Sequence, residues 1–301
     1  MKQKDNILVA LTSDGALRVY VAVTTELVSK AQKIHNSYPI ATAALGRALT
    51  GAAIMGAMEK NENASITLQF KGDGPLGTII TVSNAKAEVR GYAANSGVEL
   101  PLKPNGKLDV GGAVGKNGFL NVVRDSGVGE PYVGQVPLAT GEIAEDLTLY
   151  YATSEQTPTA IALGVLVDVD FSAKAAGGYV IQLMPGRGEN DDLILNKIED
   201  KIKTIPPISS MIANGLSDRD IMAEIMGDLD YNILDEVAPK YKCNCSESRV
   251  ERALISIGAK ELQEIIDDGN ETEINCNFCD KKYVFSVEDI ADLLDKINSK
   301  K

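Results

Sequence analysis

The sequence predicts an α+β protein: a large N-terminal domain with mixed sheets, a helical linker, and a small C-terminal domain built around four cysteines. Three observations lead there. Across residues 1–188, short β-rich runs and helical stretches follow one another without the regular strand–helix alternation of a doubly wound sheet. Residues 189–242 are charged, helical in period and broken by proline and glycine. Every cysteine falls in residues 243–301.

In the first domain, Ile7 to Leu11 and Leu17 to Val23 read as strands around the turn Ser13-Asp14-Gly15. Pro39 to Glu59 is a long alanine-rich helix whose small residues permit close packing. Ile66 to Phe70 and Thr78 to Val82 are β-rich and separated by Gly72-Asp-Gly-Pro-Leu-Gly77. Glycine alternates with short apolar runs from Gly91 to Gln135, which predicts hairpins in a glycine-rich sheet. Glu142 to Thr153 is helix-like, and Ala160 to Asp168 and Tyr179 to Met184 are again strands.

The pattern changes after Pro185-Gly-Arg-Gly-Glu-Asn. Ile194, Ile198, Ile202 and Ile205 follow helical spacing until Pro206-Pro207 stops them. Ser217 with Asp220 three residues on approaches a capping box, opening a helix that carries Ile221, Met222, Ile225 and Met226 and ends at Gly227. This segment needs another surface to pack on. In residues 243–301, Ser248 and Glu251 signal one helix, Ala259 to Asp268 a second that ends at Gly269, and Ser286 a third. Strand-like runs flank Cys276 and Cys279.

Composition excludes several classes of function. The net charge of −12 repels a phosphate backbone, and with no Trp and 5% aromatic residues there are few platforms for stacking bases, so no nucleic acid is expected as a partner. The longest apolar stretch, Ala41 to Met58, contains Arg47 and is rich in Ala and Gly; it reads as a packed core helix rather than a membrane span. Met1-Lys-Gln-Lys-Asp-Asn runs straight into a strand without the apolar segment of a secretion signal, so a cytoplasmic location is expected. His35 is the only histidine, and Asn36-Ser37-Tyr38-Pro39 beside it marks the end of a helix rather than a catalytic base.

Two glycine-rich motifs fail on context. Gly72 to Gly77 matches the dinucleotide fingerprint, but the strand Thr78 to Val82 follows where that motif needs a helix N-terminus. Gly111-Gly-Ala-Val-Gly-Lys116-Asn117 resembles a phosphate loop, yet Val110 stands at its first glycine position and Asn117 replaces the Ser/Thr.

The cysteines hold up. Cys243 and Cys245 form a C-x-C pair, thirty residues follow, and Cys276 and Cys279 form a C-x-x-C pair. Two close pairs flanking a short subdomain can present four thiolates to a tetrahedral ion at about 2.3 Å each. In a reducing compartment a disulfide framework is not expected. One zinc per chain is therefore the expected cofactor, held by Cys243, Cys245, Cys276 and Cys279. A domain of about sixty residues rarely obtains more than ~3–5 kcal/mol from its core, whereas a structural zinc contributes on the order of 10–16 kcal/mol of folding free energy. Oxidising the ligands would eject the metal and could melt the domain.

The same cysteine arrangement resembles that of the 33-kilodalton chaperonin family, the redox-regulated heat-shock holdases. Gly72-Asp-Gly-Pro-Leu-Gly77, Thr140-Gly-Glu-Ile-Ala-Glu-Asp146, Ser154-Glu-Gln-Thr-Pro-Thr159 and Gln182-Leu-Met-Pro-Gly186 also match, so the resemblance covers essentially the whole chain. It implies a chaperone of the stress response that needs no ATP and is not an enzyme, inactive when reduced and zinc-bound. It further implies that oxidation pairs Cys243 with Cys245 and Cys276 with Cys279, releases zinc, and unfolds the C-terminal domain and linker. The oxidised form would be a homodimer that holds unfolding client proteins. Ile194, Ile198, Ile202, Met211, Met222 and Met226 are the candidate client-binding residues, since their apolar faces could be docked in one state and exposed in another. Two alternatives stay open: a zinc-ribbon adaptor, disfavoured by eight Lys and Arg against thirteen Asp and Glu in residues 243–301, and a thiol–disulfide oxidoreductase using Cys276 and Cys279.

Overall fold

The computed structural model describes the backbone of residues 4–185 and 191–298. The chain divides into two compact units, Met1–Lys242 and Cys243–Lys301. The expected boundary at 188/189 lies outside the described residues.

The elements of the first unit, the body, are β1 (Asn6–Thr12), β2 (Leu17–Val23), α1 (Thr25–His35), α2 (Pro39–Ala57), β3 (Ser65–Lys71), β4 (Ile79–Asn84), β5 (Glu88–Ala93), α3 (Val110–Val114), β6 (Phe119–Asp125), β7 (Tyr132–Pro137), α4 (Ala144–Thr153), β8 (Thr159–Val167), β9 (Ala173–Leu183), α5 (Asp191–Thr204), α6 (Ile208–Ala213), α7 (Asp218–Met226), β10 (Tyr231–Val237) and β11 (Lys240–Tyr241). They build two sheets. The first has strand order β10-β1-β2-β9-β8 and the second β11-β5-β4-β3-β6-β7. All neighbours are antiparallel except β11, which runs parallel to β5.

Helix α2 packs on strands of both sheets and forms the centre of the body. Its alanines and glycines let backbone approach backbone: a methyl added at Gly56 would sit 2.5 Å from the Asn84 carbonyl oxygen. It is the one helix among the described residues long and apolar enough to cross a membrane, and 89% of that stretch is buried inside the fold. Asp5 caps α1 from outside the helix. Its carboxylate accepts the N–H groups of Glu26 (3.0 Å) and Leu27 (2.7 Å), while Thr24, at the N-cap, makes no side-chain cap bond.

The outer face of the first sheet is covered by the segment expected to be a linker. Ile198, Ile208, Met211, Ile221, Met222, Ile225 and Met226 form one buried cluster with Leu8, Leu17, Val19, Val21, Tyr179 and Ile181. The Ser217–Asp220 capping box starts α7: Ser217 Oγ accepts the Asp220 N–H at 3.1 Å, and Asp220 Oδ2 accepts the Ser217 N–H at 2.8 Å. One correction concerns helicity. Tyr231–Val237 is strand β10, hydrogen-bonded to β1, so the segment is not helical throughout. Tyr231 and Ile233 pack on the cluster at period-two spacing, which a helix could not arrange.

The second unit, the tail, comprises α8 (Glu247–Ile257), α9 (Ala259–Asp267), the hairpin β12 (Thr272–Asn275) and β13 (Lys282–Phe285), and α10 (Val287–Asn298). Its buried cluster is Leu254, Leu262, Tyr283, Phe285, Ile290 and Leu293. Helix α8 starts two residues earlier than expected: Ser246, in extended backbone at φ −149° and ψ 159°, is its N-cap, and Ser248 lies in the first turn.

Candidate metal centre

Two local structures bring the cysteines together. Cys276-Asn277-Phe278-Cys279 lies in the connection of the β12–β13 hairpin, whose last pair is Asn275 with Lys282. There the Cys276 carbonyl accepts the N–H groups of Cys279 (3.2 Å) and Asp280 (2.8 Å), and the Cys276 N–H donates to the Lys281 carbonyl (3.0 Å). Asp280, at φ +58°, supplies the left-handed residue that closes this turn. Cys243 and Cys245 lie on the extended chain that enters α8, and alternate residues of such a chain point the same way.

All four Sγ atoms lie within 4.8 Å of one another. Cys243 Sγ is 3.7 Å from Cys276 Sγ, and Cys245 Sγ is 3.4 Å from Cys279 Sγ. Four sulfurs bound tetrahedrally at about 2.3 Å would stand about 3.8 Å apart. The donor set fits a soft, tetrahedral ion such as zinc.

Tyr283, on β13, completes the surroundings: its hydroxyl donates to Cys245 Sγ at 3.1 Å, and Lys281 Nζ sits 4.7 Å from the centre of its ring. Burial pushes the Cys245 thiol up, but hydrogen bonds from Tyr283 and the other thiols outweigh it and bring it down to about 7. Burial, joined by the neighbouring sulfurs, pushes Cys279 up to about 12, and burial also raises Cys243. Without a cation Cys245 thus ionises more readily than Cys243 and Cys279, which burial and the neighbouring sulfurs hold protonated. A divalent ion reverses that preference and allows all four to ionise. Sequence reasoning found the four sulfurs and missed Tyr283. The available signal was an aromatic residue four positions past Cys279, at the start of a strand.

The glycine-rich motifs form no phosphate site; each occupies the other. Gly74 N–H donates to the Val114 carbonyl (3.0 Å) and Leu76 N–H to the Ala113 carbonyl (2.9 Å), so the donors a phosphate would need are taken. A methyl at Gly72 would lie 2.1 Å from the Val114 oxygen. Three of the six charged residues lining the adjacent cavity of about 570 Å³ are paired within the chain: Glu142 with Arg47 (2.6 Å) and with Lys103, and Asp109 with Lys103 (3.4 Å). His35 ends α1 as expected, with Nε2 2.9 Å from the Gly91 carbonyl and 3.1 Å from the Tyr241 hydroxyl.

Of the six residues singled out for clients, Ile198, Met211, Met222 and Met226 are buried against the first sheet and Ile202 packs beside them. The side chain of Ile194 lies outside the described residues.

Fold and site together define a class: a body of two sheets around a buried helix, carrying a small unit organised on four converging thiols. The chain belongs to the Hsp33 family, whose model matches residues 5–286 under the description Hsp33 protein. It is 49% identical over 298 residues to the 33 kDa chaperonin of Clostridium acetobutylicum, covering 99% of each chain. To the 33 kDa chaperonin of Clostridium botulinum strain Langeland it is 48% identical, covering 99% of this chain and 100% of the relative. The crystal structure of the 33 kDa chaperonin (heat shock protein 33 homolog) from Thermotoga maritima is similar with a TM-score of 0.89 and 37% identity, covering 100% of both chains.

Proposed function

We propose that the protein is a redox-switched holdase that works without ATP, its switch being the Cys243, Cys245, Cys276 and Cys279 cluster. The observation that carries this is the contrast between four sulfurs within 4.8 Å of one another and the small apolar cluster beside them. Bound zinc would supply the positive charge that holds four thiolates at one point and would hold the tail folded, on the order of 10–16 kcal/mol.

Oxidation consumes the thiolates as ligands. A peroxide takes two electrons per disulfide formed, and paired sulfurs can no longer hold the metal. With Cys243 joined to Cys245 and Cys276 to Cys279, each loop is too short to add more than about 2 kcal/mol, and nothing spans the two pairs. Cross-pairing of Cys243 with Cys276 would instead close a long loop, worth about 4 kcal/mol, and keep the tail tied together. The switch requires the first pattern.

Unfolding that reaches α5–α7 would uncover two surfaces at once. One is the face carrying Ile198, Ile202, Met211, Met222 and Met226; the other is the sheet beneath, with Leu8, Leu17, Val19, Val21, Tyr179 and Ile181. Ile194, one helical turn before Ile198 in sequence, is proposed with them. Such an apolar, methionine-rich surface suits unfolded clients of varied sequence, and the acidic body would keep complexes soluble. A homodimer in the oxidised state and a cytoplasmic setting complete the proposal.

The test measures zinc per chain, circular dichroism and suppression of client aggregation on the same samples before and after peroxide. Release of one zinc, loss of helix and gain of suppression are expected together. Equal suppression by the reduced, metal-loaded protein would sink the proposal.

A further inference from the structure

The four edges of the two body sheets are not alike. An open edge invites another strand, and proteins blunt it with charge, bulges, shortness or cover. Edge strand β10 carries Asp235 and Glu236 and has an irregular register against β1 between Val9 and Ala10. Strand β8 has an irregularity at Leu166/Val167 and packs against α4 and α6. Strand β11 is two residues long. Strand β7 packs one face on α4 and is bounded by Pro131 and Pro137, but between the prolines Tyr132–Val136 is uncharged, regular in register with β6, and exposed at Tyr132 (52%) and Val133 (60%).

The register shows which groups face the open side. Leu138 N–H donates to the Gly118 carbonyl at 3.0 Å. Bonded and non-bonded pairs alternate in an antiparallel ladder, so Leu120–Val136, Val122–Gly134 and Arg124–Tyr132 are the bonded pairs. Val133 and Gln135 therefore turn N–H and C=O away from β6. A row of side-chain amides runs to the same edge: Asn121 Nδ2 donates to Gln69 Oε1 (3.0 Å), and Gln135 Nε2 donates to Asn121 Oδ1 (2.7 Å). Among the described residues no donor reaches Gln135 Oε1, which ends the row. Phe119 and Val133 add exposed apolar surface on the face that carries those amides.

We propose that the β7 edge takes up an extended segment of unfolded polypeptide as an added strand, bonded to the backbone of Val133 and Gln135. This rests on the chaperone reading and gives it a contact separate from the α5–α7 surface. Backbone bonds recognise any extended chain, which fits a partner of no fixed sequence. A second copy of this chain is the poorer occupant. Antiparallel pairing of two β7 strands about Gln135 would set Pro137, which has no N–H, opposite Val133.

The experiment uses the oxidised full-length chain and, as probe, a reduced, carbamidomethylated polypeptide that cannot refold. Binding is measured for wild type, Val133→Lys and Gln135→Pro, each with a wild-type melting midpoint, and amide exchange is followed at 133 and 135. Slower exchange at Val133 and Gln135 with probe is expected, and about tenfold weaker binding by both variants, because Gln135→Pro removes one outward N–H and Val133→Lys sets a charge beside the incoming strand. Wild-type affinity in both variants with unchanged exchange would overturn the proposal alone. Exchange that slows with protein concentration and no probe would assign the edge to a second copy and overturn it too. If wild type itself ignores the probe, the chaperone reading falls and the proposal with it.

Discussion

In the body, helix α2 buries sixteen of its nineteen residues between two sheets, whereas in the tail α8, α9 and α10 together bury only Leu254, Leu262, Ile290 and Leu293. One unit is organised by apolar packing, the other by sulfur. The difference separates their sensitivities. Heat and denaturant act on packing throughout, but a reagent that attacks thiols finds its target only in the tail, which holds all four cysteines. A chain made this way can lose one unit by chemistry while keeping the other as a platform.

The largest expected effect follows from that division. Stripping the metal, or replacing Cys276 with Ser, should remove most of the roughly 10–16 kcal/mol that a structural zinc contributes, about three times what so small a core provides. Residues 243–298 should then exchange their amides freely while α2 and the strands packed on it keep their protection. A tail that stays protected without metal would erase the contrast.

A second effect tests whether the docked helices belong with the body. Ile221 is fully buried beneath α7. Ile221→Asp places a charge there, at a cost of about 3–5 kcal/mol, enough to release α7 from the sheet. The reduced, metal-loaded variant should then suppress client aggregation without oxidant. If it unfolds α7 and still fails to suppress, the apolar surface under that helix is not what clients use.

These two effects rest on features of unequal legibility. Strands β1 to β4, β8 and β9, helix α2, the capping residues Ser217 and Ser286, and the four cysteines announce themselves through local period or spacing. What remained hidden depends on residues distant in sequence. Strand β10 pairs with β1 across more than two hundred positions, and its partly alternating sequence, Tyr231-Asn-Ile-Leu-Asp-Glu-Val237, carries too weak a period to name a partner. Asp5 caps a helix that begins twenty residues later. Tyr283 reaches Cys245 only because the hairpin and the extended entry to α8 meet. Ser248 with Glu251 imitates a cap, but the N-cap position falls to Ser246, whose hydroxyl meets that of Ser248 and makes no cap bond; both serines precede acidic residues and only backbone geometry separates them.

The third effect is a pH dependence confined to the body. Burial raises the Asp5 carboxyl from 3.8 to about 6 against the opposing bonds from Glu26 and Leu27. The folded body binds that proton more tightly than the unfolded chain. Its contribution is complete below about pH 4 and is lost as pH rises through about 6, a change of about 2–3 kcal/mol. Asp5→Asn keeps an acceptor for one N–H and removes the titration. The stability of wild type relative to this variant, read from urea midpoints, should fall between pH 4 and 7. A flat difference would mean that the helix N-terminus compensates the burial.

The smallest effect sits where the two units join in sequence. Tyr241 is buried two residues before Cys243, and its hydroxyl donates to the Gly91 carbonyl at 2.8 Å. Lys30 Nζ donates to the Tyr241 carbonyl at 3.1 Å, and Lys242 N–H to the Val89 carbonyl at 2.8 Å. These bonds belong to the body, so they should oppose, without abolishing, the inward spread of disorder when the tail melts. Tyr241→Phe keeps the ring and removes the hydroxyl. Because His35 Nε2 also lies 2.9 Å from the Gly91 oxygen, that carbonyl retains a partner, and the Gly91 N–H loses only a long bond of 3.4 Å to the hydroxyl, so the cost should be about 1 kcal/mol. With metal bound, exchange in the tail should not change. After metal removal the opening of β11 should become about fivefold more frequent, read as faster exchange at Lys240 and Lys242, whose N–H groups bond to Ala87 and Val89. If exchange there is already fast in metal-free wild type, the anchor is not a barrier, and the division between packing and sulfur lies further inside the body than Lys242.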